Sequence, residues 1–360
     1  MKVSNVKSIL KDASSFFQSM YIKEQEHSKI SIGLDIGTRS IKAVALEKKA
    51  DIIRVVGYKI KDICFQEANK NSSDLEKIIT EVLSGLGARA NNVNIAMSGA
   101  GVIVRFVKMP KMTKNELKNA ILMDAERYIP FNASDVVIDF FPLDSPEDGE
   151  MNVILSAVKK DLVDARLELF KKLGINIDVI DLDIFSVLNA FLIAYPVDND
   201  KVYAFIDWGY SKVNFLISEG GLPRFMRFIQ LGAKDMNKAV SCDMDLPLVE
   251  AEKACMECSS DKSDNVFGSM ETALKKLVKE IEISVGYFES NYHKNISGIY
   301  LSGGVVVNQK IIEYMKEEIG MDIKIWNPFE KFICDENLLK EINSHLVFPK
   351  LAVSAGAALR

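Results

Sequence analysis

The sequence predicts an α/β fold made of two related halves, with a small α+β block inserted into the first. Three observations predict it. A strand–turn–strand unit appears early as Ile32-Gly33-Leu34-Asp35-Ile36-Gly37-Thr38-Arg39-Ser40-Ile41-Lys42 and again as Phe205-Ile206-Asp207-Trp208-Gly209-Tyr210-Ser211-Lys212-Val213-Asn214. Around each copy, period-2 apolar runs alternate with stretches of helical spacing, the mark of mixed α/β architecture. Between the copies, residues 104–181 carry a β-α-β-β-α-β pattern of their own.

Residues 1–29 are a lead-in in which Ser8 to Tyr21 is expected as an amphipathic helix, with Ile9, Phe16, Phe17 and Met20 near one side. Strands follow at about 31–36, 40–46 and 52–60. Leu75, Ile78, Ile79, Val82, Leu83 and Leu86 recur at helical spacing, and Asn94 to Ser98 reads as a strand. Together these make the first part of one lobe, 30–103. In the inserted block, Val104 to Met109 is a strand. Thr113 and Glu116 form a capping box that opens a helix with Leu117, Ile121 and Ala125 on one face, and Pro130 ends it. Val136 to Leu143 and Met151 to Val158 pair through a turn rich in Asp, Ser, Pro and Gly. A helix carrying Val163, Leu167 and Phe170 stops at Gly174, and Asn176 to Asp181 is the closing strand.

The chain then returns to the first lobe over 182–200, with a helix near 183–195. The second lobe occupies 201–340 and holds a long helix at 270–290, the turn Leu301-Ser302-Gly303-Gly304, a helix over Asn308 to Glu318 and a strand over Asp322 to Trp326. Residues 341–360 return to the first lobe, ending in a small-residue helix containing Gly356.

The repeated turn has a chemistry. Glycine lets backbone N–H groups turn inward and approach an anion, and the neighbouring hydroxyl adds a donor. An Asp at the strand end can face the cation that travels with phosphates, directly or through water. Each copy alone is equally an ordinary turn, since Asp, Gly and Ser favour turns locally. Two copies in two halves point to two jaws on a nucleotide. Gly303 and Gly304 would let a base or ribose lie against backbone, whereas a plain strand-to-helix turn needs only one glycine.

Composition narrows the alternatives. The 360 residues are 48% hydrophobic with a net charge of −5 and contain no long basic run, which argues against nucleic acid as the main partner. The longest apolar stretch, Ile184 to Val197, is interrupted by Ser186, Asn189 and Pro196 and is too short to span a bilayer. Residues 1–29 lack the apolar core of a secretory leader, so a cytoplasmic location is expected. Five cysteines, an odd number in a large chain, argue against a disulfide framework; Cys255 and Cys258 form a C-x-x-C, with neither a second such pair nor a nearby histidine to complete a zinc site.

Taken together, these motifs resemble the actin-like ATPase superfamily, in which a ribonuclease-H-like half is duplicated. Within it the chain is similar to the PilM family of type IV pilus assembly, itself similar to the cell-division protein FtsA. The resemblance is carried by Gly33 to Lys42, Met109-Pro110, Glu116-Leu117, Ala125-Glu126-x-Tyr128-Ile129-Pro130-Phe131 and Val137-Ile138-Asp139-Phe140, and it covers about residues 30–360. It implies a bilobed fold with subdomains 1A, 1C, 2A and 2B, the inserted block being an SHS2-like 1C. It implies ATP with Mg2+ held by Asp35, Gly37, Thr38, Arg39 and Lys42 on one side and Asp207, Gly209, Ser211 and Lys212 on the other. Glu252 would face the ribose, Gly303, Gly304 and Gly356 would approach the nucleotide, and Asp35 and Asp207 would face the metal indirectly. Where the family's ribose helix reads Ala-Glu-x-x-Lys, this chain has Ala251-Glu252-Lys253-Ala254-Cys255, so Lys253 would have to replace the missing lysine. The second turn reads as short, with Trp208 in place of a small aliphatic residue, and Asn327-Pro328-Phe329 resembles the family's Asp-Pro-Phe.

The partner implied by the resemblance is the cytoplasmic tail of a PilN-like inner-membrane protein, with an Asn-Leu-Leu-Pro-like sequence, bound near 1A and 1C. Tyr128, Ile129, Pro130 and Phe131 are the candidate groove, and core packing is the competing role for them. The expected function is a cytoplasmic ATP-binding scaffold of pilus assembly, or of a related secretion or competence system, with weak turnover at most and recruited to the inner face of the membrane through its partners. A phosphotransferase of the same superfamily would need a catalytic carboxylate beside the phosphate turns, and none is identifiable from sequence. An FtsA-like tether would need an amphipathic membrane helix at its C-terminus, and the sequence ends in Ala357-Ala358-Leu359-Arg360 instead.

Overall fold

The computed structural model describes residues 29–49, 52–63, 72–88, 92–144, 149–258, 264–335, 338 and 344–360. The helix expected over Ser8 to Tyr21 lies outside them. The described residues divide into a smaller unit, within 98–177, and a larger one, within 29–97 and 178–359.

In the larger unit β1 (Lys29–Ile36), β2 (Ser40–Lys49) and β3 (Ile52–Asp62) form an antiparallel meander. Helix α1 (Ser72–Ser84) crosses back to β4 (Asn92–Met97), which pairs parallel to β1. Ile41, Ala43, Val44, Ala45 and Leu46 of β2 are all fully buried, a near-continuous apolar run that fits a strand covered on both faces.

The smaller unit follows. It consists of β5 (Val102–Pro110), α2 (Lys114–Tyr128), β6 (Val136–Asp144), β7 (Glu150–Lys159) and α3 (Lys160–Lys172), with a three-stranded antiparallel sheet ordered β5-β7-β6. The Thr113–Glu116 capping box is present at the start of α2. Leu117, Ile121 and Ala125 of α2 are buried against Val153, Leu155 and Ala157 of β7 in one cluster. The closing strand departs from the expected pattern: β8 (Asn176–Leu182) joins the larger unit's sheet beside β4, leaving the smaller unit as β-α-β-β-α. One apolar face suffices for a three-stranded sheet roofed by helices, so the unit needs no fourth strand.

Helix α4 (Asp183–Ala194) leads into the second half: β9 (Val202–Trp208), β10 (Val213–Glu219), β11 (Leu222–Ile229), α5 (Ala233–Asp243), α6 (Leu248–Glu257), α7 (Asp264–Tyr292), β12 (Gly298–Gly303), α8 (Gln309–Ile319) and β13 (Ile323–Ile325). Its sheet runs β11-β10-β9-β12-β13. The first sheet, completed by β14 (Ile333–Cys334), runs β14-β3-β2-β1-β4-β8. The meander followed by a parallel strand is therefore repeated in the same spatial order, β3-β2-β1-β4 against β11-β10-β9-β12.

Helix α9 (Ala352–Ala358), entirely buried, lies against α4, β1, β2 and β4. Its approach depends on two glycines. A Cβ at Gly356 would lie 1.7 Å from the Ser186 carbonyl oxygen, and one at Gly33 would lie 2.0 Å from the Ser354 carbonyl oxygen. Phe191 of α4 fixes the other side of that helix, with its ring 4.8 Å from Phe205 and 4.5 Å from Tyr300, centroid to centroid.

Candidate functional site

The two Asp-x-Gly turns are the same structure. Gly37 N donates to Ser40 O at 3.1 Å, and Gly209 N donates to Lys212 O at 3.0 Å. The second turn is therefore as long as the first. Register repeats as well: Asp35 lies opposite Lys42, and Asp207 lies opposite Asn214. The sequence alignment that follows from this geometry places Tyr210 at Thr38's position and Asn214 at Lys42's.

Side chains carry the pairing further. Lys42 Nζ sits 2.7 Å from Asp35 Oδ2. Burial disfavours its charge, but the nearby Asp35, with Asp207 and Asp183 behind it, raises the ammonium pKa above its ordinary value. Asn214 Nδ2 donates to Asp207 Oδ2 and Ser302 Oγ donates to Asp207 Oδ1, both at 3.1 Å. Burial and the charge of Asp35 together push the Asp207 carboxyl pKa up, against the pull of Lys42. Asn214 Oδ1 is buried and has no hydrogen-bond partner. Two carboxylates held close in a buried site, one strained toward its neutral form, beside an unpartnered amide oxygen, form a donor set that added positive charge would relieve. These residues fit a hydrated divalent cation with its phosphates.

The two tips meet. Thr38 Oγ1 donates to Ser211 Oγ at 3.2 Å. Arg39 reaches from the first turn to α6, with Nε 2.7 Å from Glu252 Oε1 and a guanidinium nitrogen 3.4 Å from Asp62. Burial opposes the Arg39 charge, but the Glu252 hydrogen bond and the charges of Asp62 and Glu252 outweigh it and hold the guanidinium protonated. Lys212 Nζ lies 3.9 Å from Asp183 Oδ2, which brings a carboxylate at the start of α4 beside the second turn.

The remaining sequence candidates sort by geometry. Gly303 adopts φ 101°, and a Cβ there would lie 2.3 Å from Trp208 O, so it is packed on the second turn's strand; Trp208 fills the core behind it. A Cβ at Gly304 would meet nothing within 4 Å. Gly356 packs its helix tightly on the Ser186 backbone. Lys253 is mostly exposed and 3.8 Å from Glu257, so its side chain is not beside Arg39 and Glu252 in the place of the missing lysine. The Cys255 thiol is buried, and burial, with Cys258 and Glu252 adding, pushes its pKa up to about 12. Among the described residues, no group of three or more His, Cys, Asp or Glu is arranged to hold a metal. Asn327 Oδ1 accepts from Phe329 N in a local turn. Asp183, Asn214, Ser302 and Tyr210 join the site without having been singled out. Only Asn214 had a signal, the seven-residue offset from Asp207 that Lys42 has from Asp35.

In the smaller unit a groove of about 780 Å³ opens where α2 ends and α3 begins. Ile129, Pro130 and Phe131 form one wall, and Lys159, Lys160 and Asp161 face them. Phe131 is half-buried, with the Lys159 ammonium 5.0 Å above its ring. Ile129 is 3% exposed and serves the core more than the groove. Tyr128, one of the four candidates, packs against the core and is not a lining residue.

Residues 33–360 match the family described as type IV pilus assembly protein PilM. Among solved structures, the chain is similar to a PilM-PilN type IV pilus biogenesis complex, with TM-score 0.81, 24% identity, and coverage of 92% of this chain and 98% of that one. It is also similar to ethanolamine utilization protein EutJ from Carboxydothermus hydrogenoformans, with TM-score 0.52, 12% identity and 98% of each chain covered. MreB 5 of Spiroplasma citri bound to AMPPNP aligns with TM-score 0.50 and 10% identity over 92% of this chain and 95% of that one. These likenesses show the actin-like fold that the paired turns imply.

Proposed function

The chain belongs to the type IV pilus assembly protein PilM family, and from that premise we propose that it is an ATP-binding scaffold whose inserted unit receives the cytoplasmic tail of a PilN-like membrane protein. One observation carries the nucleotide half: two structurally equivalent turns, Gly37–Ser40 and Gly209–Lys212, each following an aspartate, bring their hydroxyls to 3.2 Å of each other. The similar MreB 5 structure was bound to AMPPNP, which supports the same reading. Asp35 and Asp207 would face Mg2+ through water, and the turn amides with Thr38 and Ser211 would hold phosphates. ATP binding to the folded state alone would stabilise the larger unit by mass action. Turnover would be slow, because Asp183, a carboxylate beside the second turn, is engaged by Lys212. The protein would work on the cytoplasmic side, recruited to the membrane by its partner.

The partner half is supported by the family, by the similar PilM-PilN complex, and by the groove with its partly exposed aromatic Phe131. A short extended tail gains much of its affinity from a few apolar anchors in such a groove. Calorimetric titration of a synthetic Asn-Leu-Leu-Pro-containing tail tests this. Phe131→Ala should weaken tail binding by about 2 kcal/mol, roughly thirtyfold, and leave ATP affinity unchanged. A sharply lowered melting temperature with unchanged tail affinity would make Phe131 a core residue and move the groove elsewhere. If the unaltered protein binds no such tail with or without ATP, the scaffold reading fails.

A further inference from the structure

We infer that Asn214 is a residue of the cation site, its Oδ1 accepting a hydrogen bond from a water of the divalent cation that faces Asp35 and Asp207. The inference rests on the nucleotide reading above and deepens it. The two turns match position by position, yet they differ in one charge. Asp35 lies opposite Lys42, and Asp207 lies opposite Asn214. In the first turn the opposing residue is a cation, with Lys42 Nζ 2.7 Å from Asp35 Oδ2. In the second it is a neutral amide. Asp207 accepts from Asn214 Nδ2 and from Ser302 Oγ, both at 3.1 Å. Among the described residues it has no ion pair within 4 Å, and the Lys42 charge acts on it from farther off.

The Asn214 amide is 2% exposed. Its bond to Asp207 fixes which way round it sits, because reversing it would set Oδ1 against a carboxylate oxygen. That leaves Oδ1 buried and unpartnered. Buried polar atoms are nearly always bonded, so a bare one beside a proposed site points to what binds there. Oδ1 can only accept, so the group it meets must donate. An anion is excluded, because the other end of the same amide is held by a carboxylate. A lone water would satisfy Oδ1 but bring no charge to Asp207. A water carried by a divalent cation does both: it donates outward to Oδ1 while the cation's charge meets Asp207. Mg2+ keeps several of its waters when it binds and reaches protein groups through them. The amide at 214 thus leaves to the cation the charge that a lysine supplies at 42.

The test uses Asn214→Leu, which keeps the side-chain size and removes both polar ends of the amide, with Mn2+ as the probe cation. ATP is titrated by calorimetry with Mn2+ and, separately, in EDTA. Mn2+ should tighten ATP binding to the unaltered protein. In Asn214→Leu that tightening should shrink about tenfold, the scale on which loss of a group orienting a metal's ligands is felt. Ser302→Ala also strips a donor from Asp207 but leaves Oδ1 in place, so it should cost clearly less. Equal losses in the two variants would assign the effect to Asp207 alone and overturn the inference, as would an undiminished tightening in Asn214→Leu; either result leaves the nucleotide reading standing. Asn214→Lys gives a second route should the leucine variant fail to fold. It copies the first turn's own pairing, so ATP should bind it without help from Mn2+, and a full Mn2+ effect there would equally overturn the inference. If the unaltered protein binds no ATP, the nucleotide reading fails and Mn2+ alone decides. Mn2+ binding that is lost in Asn214→Leu, read from the paramagnetic resonance of free Mn2+, would keep Asn214 as a cation-site residue. No Mn2+ binding would end that assignment too.

Discussion

Asp207→Asn separates the two duties of one carboxylate. The side chain is 8% exposed and accepts from Asn214 and Ser302, both at 3.1 Å. Burial and Asp35 raise its pKa, so the folded state holds this proton more tightly than the unfolded chain does. The cost of such a group builds as pH rises out of the ordinary carboxylate range of about 4, is complete above its folded value, and disappears again as pH falls through that range. The amide removes that cost. It keeps an oxygen to accept from Asn214 Nδ2 and turns its N–H to Ser302 Oγ, a hydroxyl that can accept as well as donate, so both bonds persist. Failure to keep one of them would cost about 0.5–1.5 kcal/mol, or roughly 1–6 °C in melting temperature at about 2–4 °C per kcal/mol. Without nucleotide the variant should therefore be at least as stable as the parent at pH 7.5, and the advantage should shrink toward pH 4.5. With Mg·ATP at about a hundredfold excess over Kd, the parent should gain about 2.7 kcal/mol. The variant should lose most of that gain, because the amide carries no charge for the cation. Differential scanning fluorimetry with and without Mg·ATP across this pH range reads both effects. A variant that melts lower without ligand yet keeps the full ATP shift would show that the Asp207 charge neither burdens the fold nor serves the cation.

Gly356→Ala should destabilise the fold by about 1–3 kcal/mol or more, because a Cβ placed 1.7 Å from the Ser186 carbonyl forces α9 off α4; chemical denaturation checks it, and an unchanged midpoint would show that the crossing has slack. At pH 8, iodoacetamide should label exposed Cys242 readily while Cys255, with its thiol pKa pushed up to about 12, stays unmodified until unfolding; peptide mapping showing equal labelling would contradict the burial. Phosphate release from ATP should fall well below the roughly 1–100 turnovers per second of kinases, and a rate within that range would favour a phosphotransferase.

The duplication was legible because it is local. An apolar strand, an Asp-x-Gly turn and a second apolar strand are written within about a dozen residues, and both copies fold alike. The capping box at Thr113 and the end of α2 before Pro130 were legible for the same reason. What depended on distant segments was not. β8 joins the larger sheet because β4 offers it an edge, which the local pattern of Asn176 to Asp181 cannot reveal. Tyr128 and Phe131 look equivalent in sequence, yet only Phe131 lines the groove. The second turn read as short because Tyr210 occupies Thr38's position and Ser211 Arg39's, so a hydroxyl-for-hydroxyl alignment slips by one residue. The Arg39–Glu252 pair spans 213 positions and needed the fold, as did Asp183, whose place beside Lys212 is set by how α4 passes the second turn.

The measurement that bears most directly on the paired-turn nucleotide site is a crystal structure with Mg2+ and a non-hydrolysable ATP analogue. The phosphates should lie between the Gly37–Ser40 and Gly209–Lys212 turns, with the cation facing Asp35 and Asp207, the Thr38–Ser211 contact parted, and the ribose on Glu252. An analogue bound elsewhere, with both turns still closed on each other at saturating ligand, would contradict it.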